Sequence, residues 1–217
     1  SPDEGRVVFQ GEDLLARGSR TRKERSERIQ LVFQDPFEAL SPRLTVEELV
    51  REPLDLGGFG SRAERRERAC RALRAVNLPV DDGFTRRYTH QLSGGQLQRV
   101  AIARALVLDP KLVIADEPVS MLDASERAKV LRLLKRLQNE RGMAMLLISH
   151  DLALVRKVAD RIAVMHQGEI VEQRPSHLLL ESPRHEQTRA MIGAAWAPLS
   201  GQESKPAALE WLSPLVG

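Results

Sequence analysis

The feature that most constrains the fold is the stretch Gln91 to Ser125, where a glycine-opened helix leads to an apolar strand that ends in two acids. The strand spans 112–115, and all four of its residues are apolar, which is typical of a buried strand. A polar turn follows, and then a helix over 125–139 with apolar residues at helical spacing. A chain with this order of elements favours an α/β fold.

Helix caps, glycines and other apolar segments predict the remaining helices and strands. Thr45, with Glu48 three residues later, has the pattern of a helix capping box, and glycines at 57, 58 and 60 end that helix. Strands alternating with helices through short joins predict a parallel sheet covered by helices. We expect strands at 5–11, 29–33, 112–115, 144–148 and 161–165, helices at 63–76, 96–108, 125–139 and 152–158, and a turn at 167–168.

Charge and composition narrow the class of protein. The net charge is +3 and the pI is about 9.3, with positive charge concentrated at 17–28 and 62–74. Both segments are interleaved with Glu and contain no aromatic residue for base stacking, which favours solvated loop and helix faces over a nucleic-acid surface. The longest apolar runs are too short to cross a bilayer. The single cysteine, Cys70, excludes an internal disulfide.

Several polar residues stand where a sheet and its helices could bind a phosphate. Side chains alternate along a strand, so Asp116 and Glu117 should point differently at its end. Glycines at 94 and 95 let the backbone approach a phosphate, and the helix that opens at Gln96 offers free N–H groups. A Ser-Gly-Gly turn alone is also a common helix N-cap. Pro36 ends the strand at 29–33, which places Gln34 at its carboxyl end.

The motifs together resemble a known family. LSGGQ, followed by LVIADEP and SMLDAS, closely resembles the nucleotide-binding subunit of ATP-binding-cassette (ABC) transporters. LVFQDPFEALSPRLTVEELVREPL resembles the Q-loop region of the oligopeptide, dipeptide and nickel importer branch. The resemblance implies a P-loop NTPase (RecA-like) fold over 1–195, with a helical subdomain inserted at about 37–92. It also implies an importer-type extension at about 175–195, and the composition of 196–217 predicts a poorly ordered tail.

The resemblance implies ATP and Mg²⁺ as cofactors and assigns roles at the sheet edge. Asp116 would hold the Mg²⁺ shell, and Glu117 would orient and polarise the attacking water. Gln34 would be the Q-loop residue, contributing to the metal site and to catalysis. His150, directly after the strand at 144–148, matches the switch histidine that contacts the γ-phosphate and the attacking water.

The resemblance also assigns roles to the glycine-opened helix. Ser93, Gly94, Gly95 and Gln96 correspond to the signature motif, which caps ATP held by a second subunit. Asp123 corresponds to the D-loop, which crosses the dimer interface. An acid at this position is also favoured simply by the positive end of the following helix. Dimerisation would therefore be part of the mechanism.

One expected motif does not occur in the sequence. No lysine follows a glycine, so the phosphate-binding motif G-x-x-x-x-G-K-[ST] is absent from the 217 residues. The opening Ser1-Pro2-Asp3-Glu4-Gly5 resembles the piece that follows the P-loop helix. We therefore expect an N-terminally truncated sequence whose sheet lacks the strand feeding the P-loop. We also expect this chain to bind ATP weakly or not at all.

The resemblance implies an ATPase subunit that energises a membrane importer of peptides or nickel. Its partners would be a second ATPase subunit, identical or different, transmembrane permeases contacting Phe37 to Arg43, and indirectly an external solute-binding protein. It would be cytoplasmic and peripheral on the inner face of the membrane, and no nucleic acid is expected. Two alternatives stay open: an ABC-type ATPase acting on nucleic acid or ribosomes, and a non-catalytic interaction remnant. The solute is not encoded in this sequence.

Overall fold

The computed structural model of the chain describes residues 4–16 and 28–196. The chain divides into two compact units, Ser1–Ser149 and His150–Gly217. The basic segment at 17–27 and the expected tail beyond Trp196 lie outside the described residues. Across the described ranges, no helix combines the length and apolar character needed to cross a membrane.

The first unit begins with a small antiparallel hairpin. Strand β1 (Val8–Phe9) pairs with β2 (Glu12–Asp13). The chain reverses at Gln10 and Gly11, whose φ values of 51° and 80° are those of a left-handed turn. The strand expected over 5–11 is therefore shorter than predicted, because the turn falls inside that range.

The parallel sheet is the centre of the first unit. Strand β3 (Ile29–Val32) pairs with β4 (Leu112–Asp116), which pairs with β5 (Ala144–Ile148), and both pairings are parallel. One face is buried, with Val32 1%, Val113 1% and Ala115 0% exposed. The α/β class and the parallel sheet predicted from the sequence are confirmed.

The described part of the first unit also contains helices, most of them between β3 and β4 in the chain. Thr45 and Glu48 form the predicted capping box, with Thr45 N donating to Glu48 Oε2 at 2.9 Å, and Gly58 ends the same helix at φ 68°. Ser61 and Glu64 form a second capping box that the sequence analysis missed. The helices are α1 (Pro36–Ala39), α2 (Val46–Gly57), α3 (Arg62–Ala75), α4 (Asp82–Thr85), α5 (Gly94–Leu106) and α6 (Ala124–Arg141), with a 3₁₀ turn at Thr89–Gln91.

A leucine-rich core holds α2, α3 and α5 together. Leu49, Leu54, Leu73 and Leu97 are each 0% exposed. The residues at 37–92 are thus largely helical, while their assignment as an inserted subdomain stays a prediction, as does the domain boundary at 195.

The second unit is built on an antiparallel hairpin. Its elements are α7 (Leu152–Val155), β6 (Arg161–His166), β7 (Glu169–Pro175), α8 (Ser176–Glu181) and α9 (Glu186–Trp196). The strand predicted at 161–165 is present as β6, and it pairs antiparallel with β7. Gln167 (φ 49°) and Gly168 (φ 85°) reverse the chain between them, at the predicted turn. Leu152, Ile162, Val164 and Leu179 form the core of this unit.

Candidate functional site

The carboxyl edge of the parallel sheet brings three predicted site residues together. Val32 on β3 is in register with Ala115 on β4, so Gln34, two residues after β3, lies at the level of Glu117, the first residue after β4, and Asp116 is the last residue of β4. Asp116 is also in register with Ile148, the last residue of β5. Asp116 and Glu117 are half-buried, whereas Gln34 is exposed. Ligands of open α/β sheets bind at this edge.

Glu117 has an unusual backbone conformation. Its φ of 45° lies in the left-handed region, which is uncommon for a residue other than glycine. Glu117 N donates to Ile148 O at 3.0 Å, and Glu117 O accepts from Ser120 N at 3.2 Å and Ser120 Oγ at 3.0 Å. These bonds fix the reversal directly after β4. A strained conformation held by its surroundings is frequent at functional sites.

Gln34 is set by the start of α1. Asp35 caps this short helix, accepting from Phe37 N at 2.8 Å, and Pro36 occupies the first helical position. The proline and the cap end the extended backbone of β3, so Gln34 lies in the short connection between β3 and α1. Phe33 and Phe37, on either side, are 48% and 57% exposed.

The Ser-Gly-Gly turn caps helix α5. Ser93 Oγ accepts from Gln96 N at 3.3 Å, and Ser93 N donates to Gln96 Oε1 at 3.0 Å, which completes a capping box. The helix begins at Gly94, two residues earlier than predicted. The first-turn N–H groups of Gly94 and Gly95 have no carbonyl one turn back within the helix, so they are suited to an anion.

The start of α5 lies against the start of α6. A Cβ added to Gly94 would lie 3.6 Å from Leu122 Cδ2, and one added to Gly95 would lie 2.5 Å from Glu126 Oε2. Arg99 Nη2 donates to Glu126 Oε2 at 2.7 Å and joins the two helices. A Cβ at position 95 would displace the end of the flexible Glu126 side chain, so Gly95 leaves room for that carboxylate beside the start of α5.

Asp123 caps α6. Its Oδ1 accepts from Ser125 N and Glu126 N, each at 3.0 Å. The Glu126 N–H, followed by Ser125, holds the pKa of the exposed Asp123 carboxyl below its usual value. This capping role is the one expected from the positive end of the helix, and it is compatible with the D-loop role that the resemblance implies.

The turn between the acid pair and Asp123 is pinned by a residue that the sequence analysis missed. Arg127 Nε donates to Leu122 O at 2.7 Å, and Arg127 Nη2 donates to Ser120 O at 3.3 Å. The turn is thereby fixed relative to α6. Nothing in the sequence signalled this role, because Arg127 is one of several basic residues on the same helix.

His150 belongs to the second unit. It is exposed and follows β5 by two positions in the chain. The next residue, Asp151, caps α7 by accepting from Leu154 N at 3.1 Å. The predicted role of His150 rests on its place in the chain.

Side-chain oxygen atoms at the sheet edge can supply part of the ligand set of Mg²⁺. Among the described residues no group of three or more His, Cys, Asp and Glu side chains could by itself hold a metal. Asp116 and Gln34 offer oxygen donors, and Mg²⁺ in proteins commonly uses one or two carboxylates together with water and substrate phosphate oxygens. These residues therefore fit Mg²⁺ that arrives with a phosphate ligand.

A family model described as "ABC transporter" matches residues 1–120. Among curated proteins, a putative peptide import ATP-binding protein of Brucella ovis is 46% identical over 197 residues, covering 91% of this chain and 62% of that protein. The dipeptide transport ATP-binding protein DppF of Escherichia coli is 44% identical over 193 residues, covering 89% of this chain and 57% of that protein. The chain thus spans about 62% of the length of the first of these relatives.

Solved structures are similar across most of the chain. The ATP-binding cassette MJ0796, in a dimeric structure of a post-hydrolysis state bound to ADP and Pi, superimposes with a TM-score of 0.69 at 35% identity, covering 81% of this chain and 75% of that one. The cbiO1 protein of Clostridium perfringens, part of the ABC transporter complex cbiONQ, gives a TM-score of 0.72 at 27% identity, covering 91% and 75%. The P-loop NTPase class expected from the sequence agrees with this similarity.

Proposed function

The chain belongs to the ABC transporter family, and on that premise we propose that it is part of an ATP-hydrolysing subunit that energises a membrane importer of peptides or nickel. The observation that carries the proposal is the register of the parallel sheet, which sets Gln34, Asp116 and Glu117 at one edge. The names of the curated relatives, which include peptide import and dipeptide transport proteins, support the peptide branch.

The proposed chemistry at the sheet edge divides among three residues. Bound Mg²⁺ would neutralise charge on the phosphate oxygens of ATP. Asp116 and Gln34 would hold that ion with their oxygen atoms. The Glu117 carboxylate would accept a hydrogen bond from the attacking water and take up its proton. The hydrogen-bonded backbone of Glu117 supports this role. Because the backbone is held in place, less conformational entropy is lost when the carboxylate is positioned for the reaction.

The signature face would act on nucleotide held by another subunit. Gly94 and Gly95 would direct their N–H groups at the γ-phosphate, aided by the positive end of α5. Ser93 and Gln96 would exchange part of their capping-box bonds for bonds to the nucleotide. Asp123 would lie at the interface between the subunits. The dimeric structures of MJ0796 support this arrangement.

Partners and location follow from the same premise. A permease would contact Phe37 to Arg43, a segment whose first residue exposes 57% of an aromatic side chain. The second ATPase subunit could be a copy of this chain or a related one, and the external solute-binding protein would act only through the permease. The subunit would be cytoplasmic, on the inner face of the membrane.

His150 would contact the γ-phosphate and the attacking water.

Replacement of Glu117 tests the catalytic proposal. In a chain extended to the length of its relatives, Glu117→Gln should keep Mg-ATP binding and reduce turnover by about a thousandfold, because the amide cannot take up a proton. Asp151→Asn, three residues after the end of β5 and outside the proposed chemistry, is the control. Wild-type-like phosphate release by the Glu117 variant would remove this residue from the mechanism.

Nucleotide affinity of the 217-residue chain is a separate test. Since the sequence contains no G-x-x-x-x-G-K-[ST] motif, the strong charge-assisted bonds of a P-loop lysine are unavailable to it. We expect weak binding or none in equilibrium dialysis with Mg-ATP. Micromolar affinity would contradict this part of the proposal and leave the role of Glu117 untouched.

A further inference from the structure

The turn between β4 and α6 carries the proposed catalytic acid at one end and the proposed interface acid at the other. Glu117 follows β4 directly, and Asp123 is the N-cap of α6. Residues 118–122 separate the two acids, so the path of the turn sets their relative position.

Main-chain hydrogen bonds define the first half of this turn. Glu117 N donates to Ile148 O, and Glu117 O accepts from Ser120 N at 3.2 Å and from Ser120 Oγ at 3.0 Å. Leu122 N donates to Val119 O at 3.2 Å. Of these bonds, the one to Ile148 is the one that reaches a neighbouring strand. The others close the turn on itself.

The guanidinium of Arg127 attaches the second half of the turn to α6. Its Nε donates to Leu122 O at 2.7 Å, and its Nη2 donates to Ser120 O at 3.3 Å. The two carbonyls lie on either side of Met121, which is 65% exposed. A guanidinium can fix two acceptors at once, because its N–H groups form a rigid planar fork. Arg127 is half-buried, so water competes less for these bonds.

Ser120 links Arg127 to the catalytic acid. The carbonyl of Ser120 accepts from Arg127, while its N–H and its hydroxyl both donate to Glu117 O. Glu117 has a φ of 45°, and such a conformation persists only where the surrounding structure holds it. A loosened Ser120 would let the backbone of Glu117 relax towards more populated dihedral angles, which would move the carboxylate.

We propose that Arg127 is a positioning residue for ATP hydrolysis, acting through Ser120 to hold the Glu117 carboxylate in its reactive orientation. This inference rests on the proposed catalytic role of Glu117. Arg127 takes no part in proton transfer, because a guanidinium does not accept a proton in proteins. The cap of α6 does not depend on Arg127, since Asp123 makes its own bonds to the first N–H groups of the helix. Loss of the guanidinium should therefore affect the chemical step more than nucleotide binding.

Steady-state ATP hydrolysis by a chain extended to the length of its relatives tests the proposal. A misplacement of about 1 Å can cost about a hundredfold in rate, so partial loosening in Arg127→Gln should lower kcat about tenfold. The KM for Mg-ATP should stay within about twofold, because Glu117 is not among the residues proposed to hold the ion. Arg127→Lys keeps the charge without the fork and should give an intermediate kcat.

Arg136→Gln is the matched control. Arg136 lies on the same helix, and its Nη2 likewise donates to a main-chain oxygen, Ala75 O at 2.7 Å, which is not part of the turn. We expect wild-type kcat in this variant. Circular dichroism establishes that each variant folds, and Arg127→Lys carries the test if Arg127→Gln does not.

A double-mutant cycle with Glu117 separates positioning from general stabilisation. In single-turnover phosphate release, adding Arg127→Gln to Glu117→Gln should change the rate less than about twofold, because the group that Arg127 positions is already lost. Multiplied effects of the two changes would overturn the proposal, as would wild-type kcat in Arg127→Gln or a raised KM at unchanged kcat. Wild-type turnover by Glu117→Gln alone would instead refute the catalytic role of Glu117, and this inference with it.

Discussion

Replacement of Glu172 by Gln should loosen α9 from the second unit. Glu172 lies on β7 and is 7% exposed. Its carboxylate accepts from His185 N at 2.9 Å and from Arg184 N at 3.1 Å, just before α9 begins. Arg174 Nη1 lies 3.7 Å from Glu172 Oε1. A single buried carboxylate therefore holds the start of the helix to the hairpin.

The size of the effect follows from the pKa of Glu172. Burial raises this pKa, but the N–H groups of His185 and Arg184 and the charge of Arg174 outweigh burial and lower it from 4.5 to about 2. The full difference corresponds to about 3 kcal/mol of stability at neutral pH. Solvent near the surface screens part of it, so we expect about 2 kcal/mol.

Hydrogen exchange measured by mass spectrometry is the assay. In Glu172→Gln, amides of 184–196 should exchange about thirtyfold faster at pH 7, if they open locally. The pKa is lower in the folded state, so the wild-type stabilisation is complete above about pH 5 and falls as pH drops through 4.5 towards 2. Glu169→Gln, at an exposed position of the same strand, is the control. Equal protection of Glu172→Gln and wild type at pH 7 would refute the reasoning.

Three further predictions concern the first unit and are checked by urea unfolding followed by circular dichroism. Gly95→Ala should be less stable than Gly94→Ala by about 1 kcal/mol, because the Cβ at 95 displaces the flexible end of Glu126 from Arg99, whereas the Cβ at 94 has room. Equal midpoints for the two variants would contradict this. Ser61→Ala should cost about 1 kcal/mol through loss of the α3 cap, and an unchanged midpoint would argue against a stabilising cap. Leu54→Ala, at a 0% exposed site, should cost about 3 kcal/mol, and a loss below 1 kcal/mol would mean that the core refills the space.

Local sequence patterns predicted the helices and strands that depend on residues only a few positions apart. The strand at 144–148 has the predicted bounds, and the capping box at Thr45 and Glu48 needs only residues three apart. The observed bounds of β4 and α5 differ from the predicted ones by one or two residues. Asp116 still pairs in the sheet, and Gly94 and Gly95 are already part of the helix. The candidate residues at the sheet edge were also predictable, because a buried strand followed by polar residues marks its own carboxyl end.

The chain order of strands and helices, the acid pair and the Ser-Gly-Gly turn were thus determined by the sequence alone, because each depends on neighbours a few residues away. Only the tertiary structure decided how these pieces meet. Arg99 and Glu126 are 27 residues apart, and the bond from Glu117 N to Ile148 O spans a longer interval. Such contacts are selected by packing and by the satisfaction of buried polar groups, which no local pattern records.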